Sequence, residues 1–79
     1  MMIQDVTNEK IADVLGLPCD RDWLADSRAV DEDVLAWVDA APLAVQIFFH
    51  SRAAQLRGSQ HTAFCFALLE AARWEKENL

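Results

Sequence analysis

The spacing of apolar residues between positions 42 and 57 predicts one helix with apolar side chains on two faces. With successive residues placed about 100° apart, one arc holds five apolar residues and a second arc holds four. The first arc consists of Leu43, Ala44, Ile47, Phe48 and Ala54, and the second consists of Val45, Phe49, Ala53 and Leu56. A helix on the outside of a small domain needs only one apolar face. We therefore expect this helix either to be central or to cover a partner.

A strand is the competing interpretation of the same region. The stretch AVQIFF at residues 44–49 is rich in β-forming side chains that alternate along the chain. However, the next residues, SRAAQLR, favour a helix, and no turn signal follows before Gly58. The helical interpretation is therefore favoured.

Shorter helical patterns precede this region. Thr7 can cap a first helix, and Gly16 stands where a left-handed residue would end it. The stretch 19–26 suits only a single helical turn, for which Trp23 and Leu24 are the expected buried anchors.

A third helix is predicted to begin at Asp31, because three consecutive acids suit the positive end of a helix dipole. Its apolar arc is expected to face inward, and its polar residues Glu32, Asp33 and Asp39 are expected to face away. A final helix begins after Ser59 and ends at about residue 76. The predicted fold is therefore all-α, a single domain over residues 1–79 with four to five short helices. Its spine is an antiparallel helical hairpin of about 42–57 and 59–76.

Composition narrows the class of protein. The chain has 79 residues, 53% of them hydrophobic and 25% charged, which suits one small folded domain. Its uncharged runs are too short to span a bilayer, so we expect no membrane insertion. The first ten residues show no secretory signal pattern, so Cys19 and Cys65 are expected to be reduced thiols of a cytoplasmic protein.

The net charge of −6 is unevenly distributed along the chain. Residues 1–39 carry ten acids and three bases, whereas residues 40–79 carry three acids and four bases. An acidic surface of this kind repels phosphate backbones and attracts a basic protein surface. The alternative is that the acids only provide solubility and favourable helix starts.

The stretch NEKIADVLGL at residues 8–17 suits a short helix followed by a turn at Gly16. It resembles the first half of a helix-turn-helix motif, which would imply a DNA-reading helix immediately afterwards. The residues at that place, CDRDWLADS, instead include Asp20, Asp22 and Asp26, which would repel DNA phosphates. The alternative function is therefore that of a helix-turn-helix-like transcriptional regulator. The acidic residues of this stretch disfavour that function.

Two histidines and two cysteines are candidate metal ligands. His61 and Cys65 are four residues apart on one helix face, and Cys19 and His50 could complete a tetrahedral set. Structural zinc sites usually draw their ligands from close pairs, and Cys19 has no near partner. His61 and Cys65 are more simply core residues, so no metal site is predicted.

Catalytic patterns are weak. Ser51 lies beside His50, and Ser59 lies near His61, but neither pair has an orienting carboxylate at a recognisable spacing. The chain also lacks a glycine-rich phosphate loop. We therefore expect neither enzyme activity nor a cofactor.

The function that we predict is binding to another protein. In general character, though in no motif, the chain is similar to small acidic helical antagonists such as immunity proteins, antitoxins and phage inhibitors of host defence. The residues expected to bind a basic site on the partner are Asp20, Asp22, Asp26, Glu32, Asp33 and Asp39. The residues expected to support pairing with a second copy as a homodimer are Val45, Phe49, Leu56 and Phe66. The alternative for the second set is that the earlier helices cover it within one molecule.

Overall fold

A computed structural model of the chain describes residues 6–79, which form helices and contain no strand. In chain order these are α1 (Asn8–Leu15), α2 (Ser27–Ala29), a π-helical turn (Val30–Val34), α3 (Leu35–Ala40), α4 (Leu43–Gln55) and α5 (Gln60–Asn78). The predicted all-α class is confirmed, and residues 44–49 belong to a helix. Within residues 6–79, no helix combines the length and the apolar character needed to cross a membrane.

Both predicted caps of α1 are confirmed. The Thr7 Oγ1 atom accepts a hydrogen bond from the Lys10 backbone N–H at 3.2 Å. Gly16 follows the helix with φ 71°, and its N–H bonds back to the last turn. The caps fix a helix of only eight residues, whose Ile11 and Ala12 enter the core.

Replacement of Gly16 by alanine is expected to lower the free energy of unfolding by about 1–2 kcal/mol. No atom lies within 4 Å of the added Cβ, so the cost arises from the left-handed backbone alone. Urea unfolding followed by circular dichroism measures the change. Ser51→Ala, at an exposed position within α4, is the control and should change stability by less than about 0.5 kcal/mol. An unchanged midpoint for Gly16→Ala would contradict the assigned backbone conformation.

The predicted start of the third helix at Asp31 is wrong. Helical structure begins at Ser27, because the Asp26 side chain caps it by accepting a hydrogen bond from the Arg28 N–H at 3.0 Å. The chain then continues through the π turn into α3 without a break. Asp31 therefore lies inside the helical segment and not at its start.

The predicted outward orientation of Asp33 is also wrong, because only 17% of its side chain is exposed. Asp33 lies in the π turn, between the fully buried Val30 and Val34. A π turn holds more residues than an α turn, so faces assigned at about 100° per residue do not apply there. The turn brings a carboxylate to the edge of the core.

The core lies between the α4–α5 pair and the earlier part of the chain, which supplies half of its buried residues, among them Ile11, Trp23 and Val34. Val45 and Phe49 from α4 are fully buried, as are several residues of α5. Phe48 stacks on Trp74 with ring centroids 5.3 Å apart, and Arg52 forms an ion pair with Glu70. These two pairs show that α4 and α5 run antiparallel.

The two apolar arcs of α4 have different environments. The arc of Val45 and Phe49 packs against the core, with Ala53 and Leu56 half-buried at its edge. On the other arc Leu43 is 69% exposed and Ile47 is 58% exposed, while Phe48 is half-buried. The helix thus covers the core on one side and leaves an apolar face on the other.

Candidate functional site

The irregular segment 16–26 is anchored by a buried tryptophan. Trp23 has no exposed surface, and its Nε1–H donates to Asp33 Oδ2 at 2.8 Å. Arg21 donates to the same oxygen at 3.0 Å and to Glu32 Oε1 at 2.9 Å. The bonds to Glu32 and then Asp33 raise the pKa of Arg21. Two of the predicted partner-binding acids, Glu32 and Asp33, are therefore already bonded to other side chains of this segment.

Two further predicted acids hold local structure. Asp22 Oδ1 accepts hydrogen bonds from the Asn8 side chain at 2.8 Å and from the Ala25 backbone N–H at 3.2 Å. Asp26 is the cap of α2. Both side chains are exposed, but their oxygens already have partners in the fold. Their loss would disturb structure as well as charge.

The remaining predicted acids, Asp20 and Asp39, are exposed. Within residues 6–79, neither side chain forms a hydrogen bond or an ion pair. Asp31, which was not among the predicted partner-binding residues, is also exposed, and its side chain forms no hydrogen bond or ion pair within residues 6–79. These three residues, named here the unpaired acids, have carboxylates that are available to another molecule.

The four residues predicted for self-association do not share one exposed surface. Val45 and Phe49 are fully buried, so a second copy could reach neither of them in this fold. Leu56 is half-buried and packs against the core, whereas Phe66 is half-buried outside the core cluster. The exposed apolar residues of α4 are instead Leu43 and Ile47. Sequence reasoning found both arcs, but which arc faces α5 is decided by tertiary packing.

Two of the four candidate metal ligands, His61 and Cys65, bond to backbone carbonyls, whereas Cys19 and His50 are exposed. The His61 Nε2–H donates to the Leu24 carbonyl at 3.0 Å, and the Cys65 thiol donates to the Trp23 carbonyl at 3.8 Å. Both bonds tie α5 to the segment 16–26. Among residues 6–79, no group of three His, Cys, Asp or Glu side chains is arranged to hold a metal ion.

The two thiols are expected to differ sharply in reactivity. Cys19 is exposed, whereas Cys65 is fully buried, and burial raises the pKa of the Cys65 thiol from 9.0 to about 11. Because the thiolate is the nucleophile, iodoacetamide at pH 8 should label one cysteine in the folded protein and two in urea. Mass spectrometry counts the labels. Rapid labelling of Cys65 without urea would contradict its burial.

The same shift in pKa makes stability depend on alkaline pH. Between pH 9 and about 11 the unfolded chain loses the Cys65 proton while the folded chain keeps it. The unfolded state therefore binds fewer protons, and the stability that is present below pH 9 declines as the pH rises through this range. A Cys65→Ala variant should lose this component of the pH dependence.

The serine and histidine at the start of α5 lack the remainder of a catalytic arrangement. Ser59 Oγ lies 3.4 Å from His61 Nδ1 and donates to Thr62 Oγ1 at 2.8 Å. The other imidazole nitrogen bonds to a backbone carbonyl and not to a carboxylate. The Ser59 hydroxyl proton is directed toward Thr62 and not toward the imidazole, and no carboxylate orients the ring.

A groove of about 620 Å³ lies between α1 and α5. Its apolar floor includes Val14, Leu69 and Ala72, and its rim carries acids and bases from both helices. Rim charges of both signs favour neither an anionic nor a cationic small molecule.

The unpaired acids and the exposed apolar residues of α4 are therefore candidate contact residues within residues 6–79. Comparison of the chain with protein-family models, with curated proteins and with solved structures gave no match.

Proposed function

We propose that this protein is a non-catalytic acidic module that binds another protein and blocks a basic site on it. In this proposal it acts in the same way as immunity proteins, antitoxins and phage inhibitors of host defence. The observation that carries the proposal is the separation of charge along the chain. Ten of the 13 acids lie in residues 1–39, and no acid occurs between Asp39 and Glu70.

The unpaired acids are the proposed centre of the contact. Asp20, Asp31 and Asp39 are exposed and have no partner within residues 6–79, so lysine or arginine side chains can approach them without breaking an internal bond. Glu32, with 54% of its side chain exposed, adds to the negative electrostatic potential, although the charge of Arg21 neutralises part of its contribution. Charges of one sign steer a basic partner toward this half and raise the association rate.

The proposed mechanism is steric and electrostatic blockade. A folded domain that lies over a basic site excludes the site's normal ligand, including a nucleic acid, without chemistry of its own. The proposed setting is the cytoplasm, where both free thiols would remain reduced. Pairing with a second copy is compatible with this mechanism, provided that the acidic half stays accessible.

The test is capture from cells of the source organism with immobilised protein, followed by calorimetry on the purified partner. A triple variant neutralises the unpaired acids through Asp20→Asn, Asp31→Asn and Asp39→Asn. We expect the dissociation constant to rise at least about tenfold, because each substitution removes attraction to the basic site. The affinity of the unmodified protein should also fall as salt is added.

The control removes the same number of charges outside segment 20–39, through Glu9→Gln, Asp13→Asn and Glu77→Gln. All three residues are exposed; Glu9 and Asp13 belong to the acidic half 1–39, and Glu77 lies 3.9 Å from Arg73. Equal weakening by both triple variants would show that only net charge matters, and unchanged binding by the first variant would contradict the proposed site.

A gel-shift experiment with duplex DNA at low salt addresses the alternative of a DNA-binding regulator. Residues 19–26 form turns where a recognition helix would be needed, and α2 begins only at Ser27. We expect no shift. Salt-sensitive binding to DNA would contradict the electrostatic argument.

A further inference from the structure

We propose that the exposed apolar face of α4 joins two copies of this chain, in a weak antiparallel pairing of α4 with its counterpart. The face is defined by Leu43, Ala44, Ile47, Ser51 and Ala54, which are all exposed. Leu43 and Ile47 are 69% and 58% exposed, and they lie one helical turn apart on the same side. The inference does not depend on what the acidic half binds.

The distribution of charge indicates why the occupant is a second copy. Each molecule carries a net charge of −6, so most mutual orientations bring acids against acids. The stretch 40–69 contains no acid at all, and α4 lies entirely within it. Asp39 lies just before the helix, at its Leu43 end, and Glu70 on α5 is already bonded to Arg52. Two copies can therefore approach through α4 with less repulsion than through the acidic half.

The shape of the face also suits a helix pair. Ala44, Ser51 and Ala54 have small side chains, so a second helix can approach the α4 backbone closely beside Leu43 and Ile47. In a two-fold antiparallel pairing the same patch serves both copies. Ile47 would lie near the axis, and Leu43 of each copy would lie over the small residues of the other.

The pairing is expected to be weak. A stable complex usually buries roughly 800 Å² on each partner, and two large side chains supply only part of that. We therefore expect a dissociation constant of roughly 0.1–1 mM. Added salt should strengthen the dimer, because it screens the repulsion between two molecules of like charge. Binding of a basic partner to the acidic half has the opposite salt dependence.

Sedimentation velocity between about 10 µM and 1 mM protein, at low and high salt, tests the pairing over the range that its expected affinity requires. The unmodified protein should shift toward dimer as protein and salt increase. Ile47→Glu should raise the dissociation constant at least about a hundredfold, because it places a charge in both halves of the interface. Leu17→Glu is the matched control: it makes the same change at a residue that is 43% exposed after α1, and it should dimerise like the unmodified protein at high salt.

Cross-linking provides a second readout that does not depend on equilibrium affinity. In a Cys19→Ser background, Ile47→Cys should give a disulfide-linked dimer under dissolved oxygen, whereas Leu17→Cys should not. The proposal is overturned by a monomer at 1 mM in high salt, by a dimer that survives Ile47→Glu, or by equal effects of the two glutamate variants. Loss of binding to the captured partner in Ile47→Glu, with the unmodified protein still monomeric, would assign the face to that partner and also overturn it.

Discussion

Replacement of Trp23 by alanine is expected to lower the free energy of unfolding by about 3–5 kcal/mol. The side chain is fully buried, although it comes from a segment without regular helix, and it packs in the same cluster as residues from α1 and α5. Truncation leaves a large cavity and removes the indole N–H that bonds to Asp33. A domain of this size has a total stability of about 4–12 kcal/mol, so the variant should be close to unfolding at 25 °C. Urea unfolding monitored by far-ultraviolet circular dichroism measures the loss.

Two further variants separate the contributions at this position. Trp23→Phe keeps an aromatic ring but removes the N–H donor, and should cost about 1–3 kcal/mol. Trp74→Ala removes a tryptophan that is half-buried and stacked on Phe48, so it should cost less than Trp23→Ala. If Trp23→Ala unfolded at the same urea concentration as the unmodified protein, the assignment of Trp23 to the core would be incorrect.

Replacement of Phe49 by alanine should have a similar effect, a loss of about 3–5 kcal/mol. Phe49 is fully buried, and its ring centroid lies 5.4 Å from that of Phe64 on α5. Ile47→Ala, two residues earlier in the same helix, should change stability by less than about 0.5 kcal/mol, because its side chain is 58% exposed. Urea unfolding at protein concentrations below about 10 µM keeps any weak pairing from contributing.

This comparison tests which side of α4 faces the core. Comparable losses from Phe49→Ala and Ile47→Ala would mean that both arcs are buried in solution. A large loss from Ile47→Ala alone would reverse the orientation of the helix.

Local signals along the chain were sufficient to predict much of the fold. The caps of α1 at Thr7 and Gly16 depend on side-chain and backbone chemistry within a few residues, so they can be recognised without tertiary information. The break at Gly58 likewise separates α4 from α5. Trp23 could be assigned to the core because a large apolar residue in a polar stretch gains most from burial.

The helical segment 27–40 was harder to predict because two of its features are not local. The predicted helix start is Asp31, whereas Asp26 caps the helix in the structure, and the π turn that follows is not indicated by any residue pattern. That turn places Asp33 beside Trp23 and Arg21, ten and twelve residues away along the chain. The role of Asp33 therefore becomes visible only when the two segments are brought together.

The candidate site likewise combines features that the sequence predicts with features that depend on tertiary contacts. Acidic character is a property of composition, so the charged half could be identified at once. Which acids remain available depends on hydrogen bonds between distant segments, such as Asn8 with Asp22. The exposed face of α4 was equally ambiguous, since two apolar arcs compete for one core and packing against α5 selects between them.

The anchoring of segment 16–26 has a consequence for where the chain can be opened. Its backbone bonds to side chains of α1 and α5. The Leu24 N–H donates to Asn8, the Leu24 carbonyl accepts from His61, and the Trp23 carbonyl accepts from Cys65. A protease or an inserted peptide near Trp23 and Leu24 would have to break several of these bonds at once, so this part of the longest non-helical stretch of residues 6–79 should resist both. The turn around Gly58, whose neighbourhood is exposed, is the better position for a circular permutation or an inserted reporter.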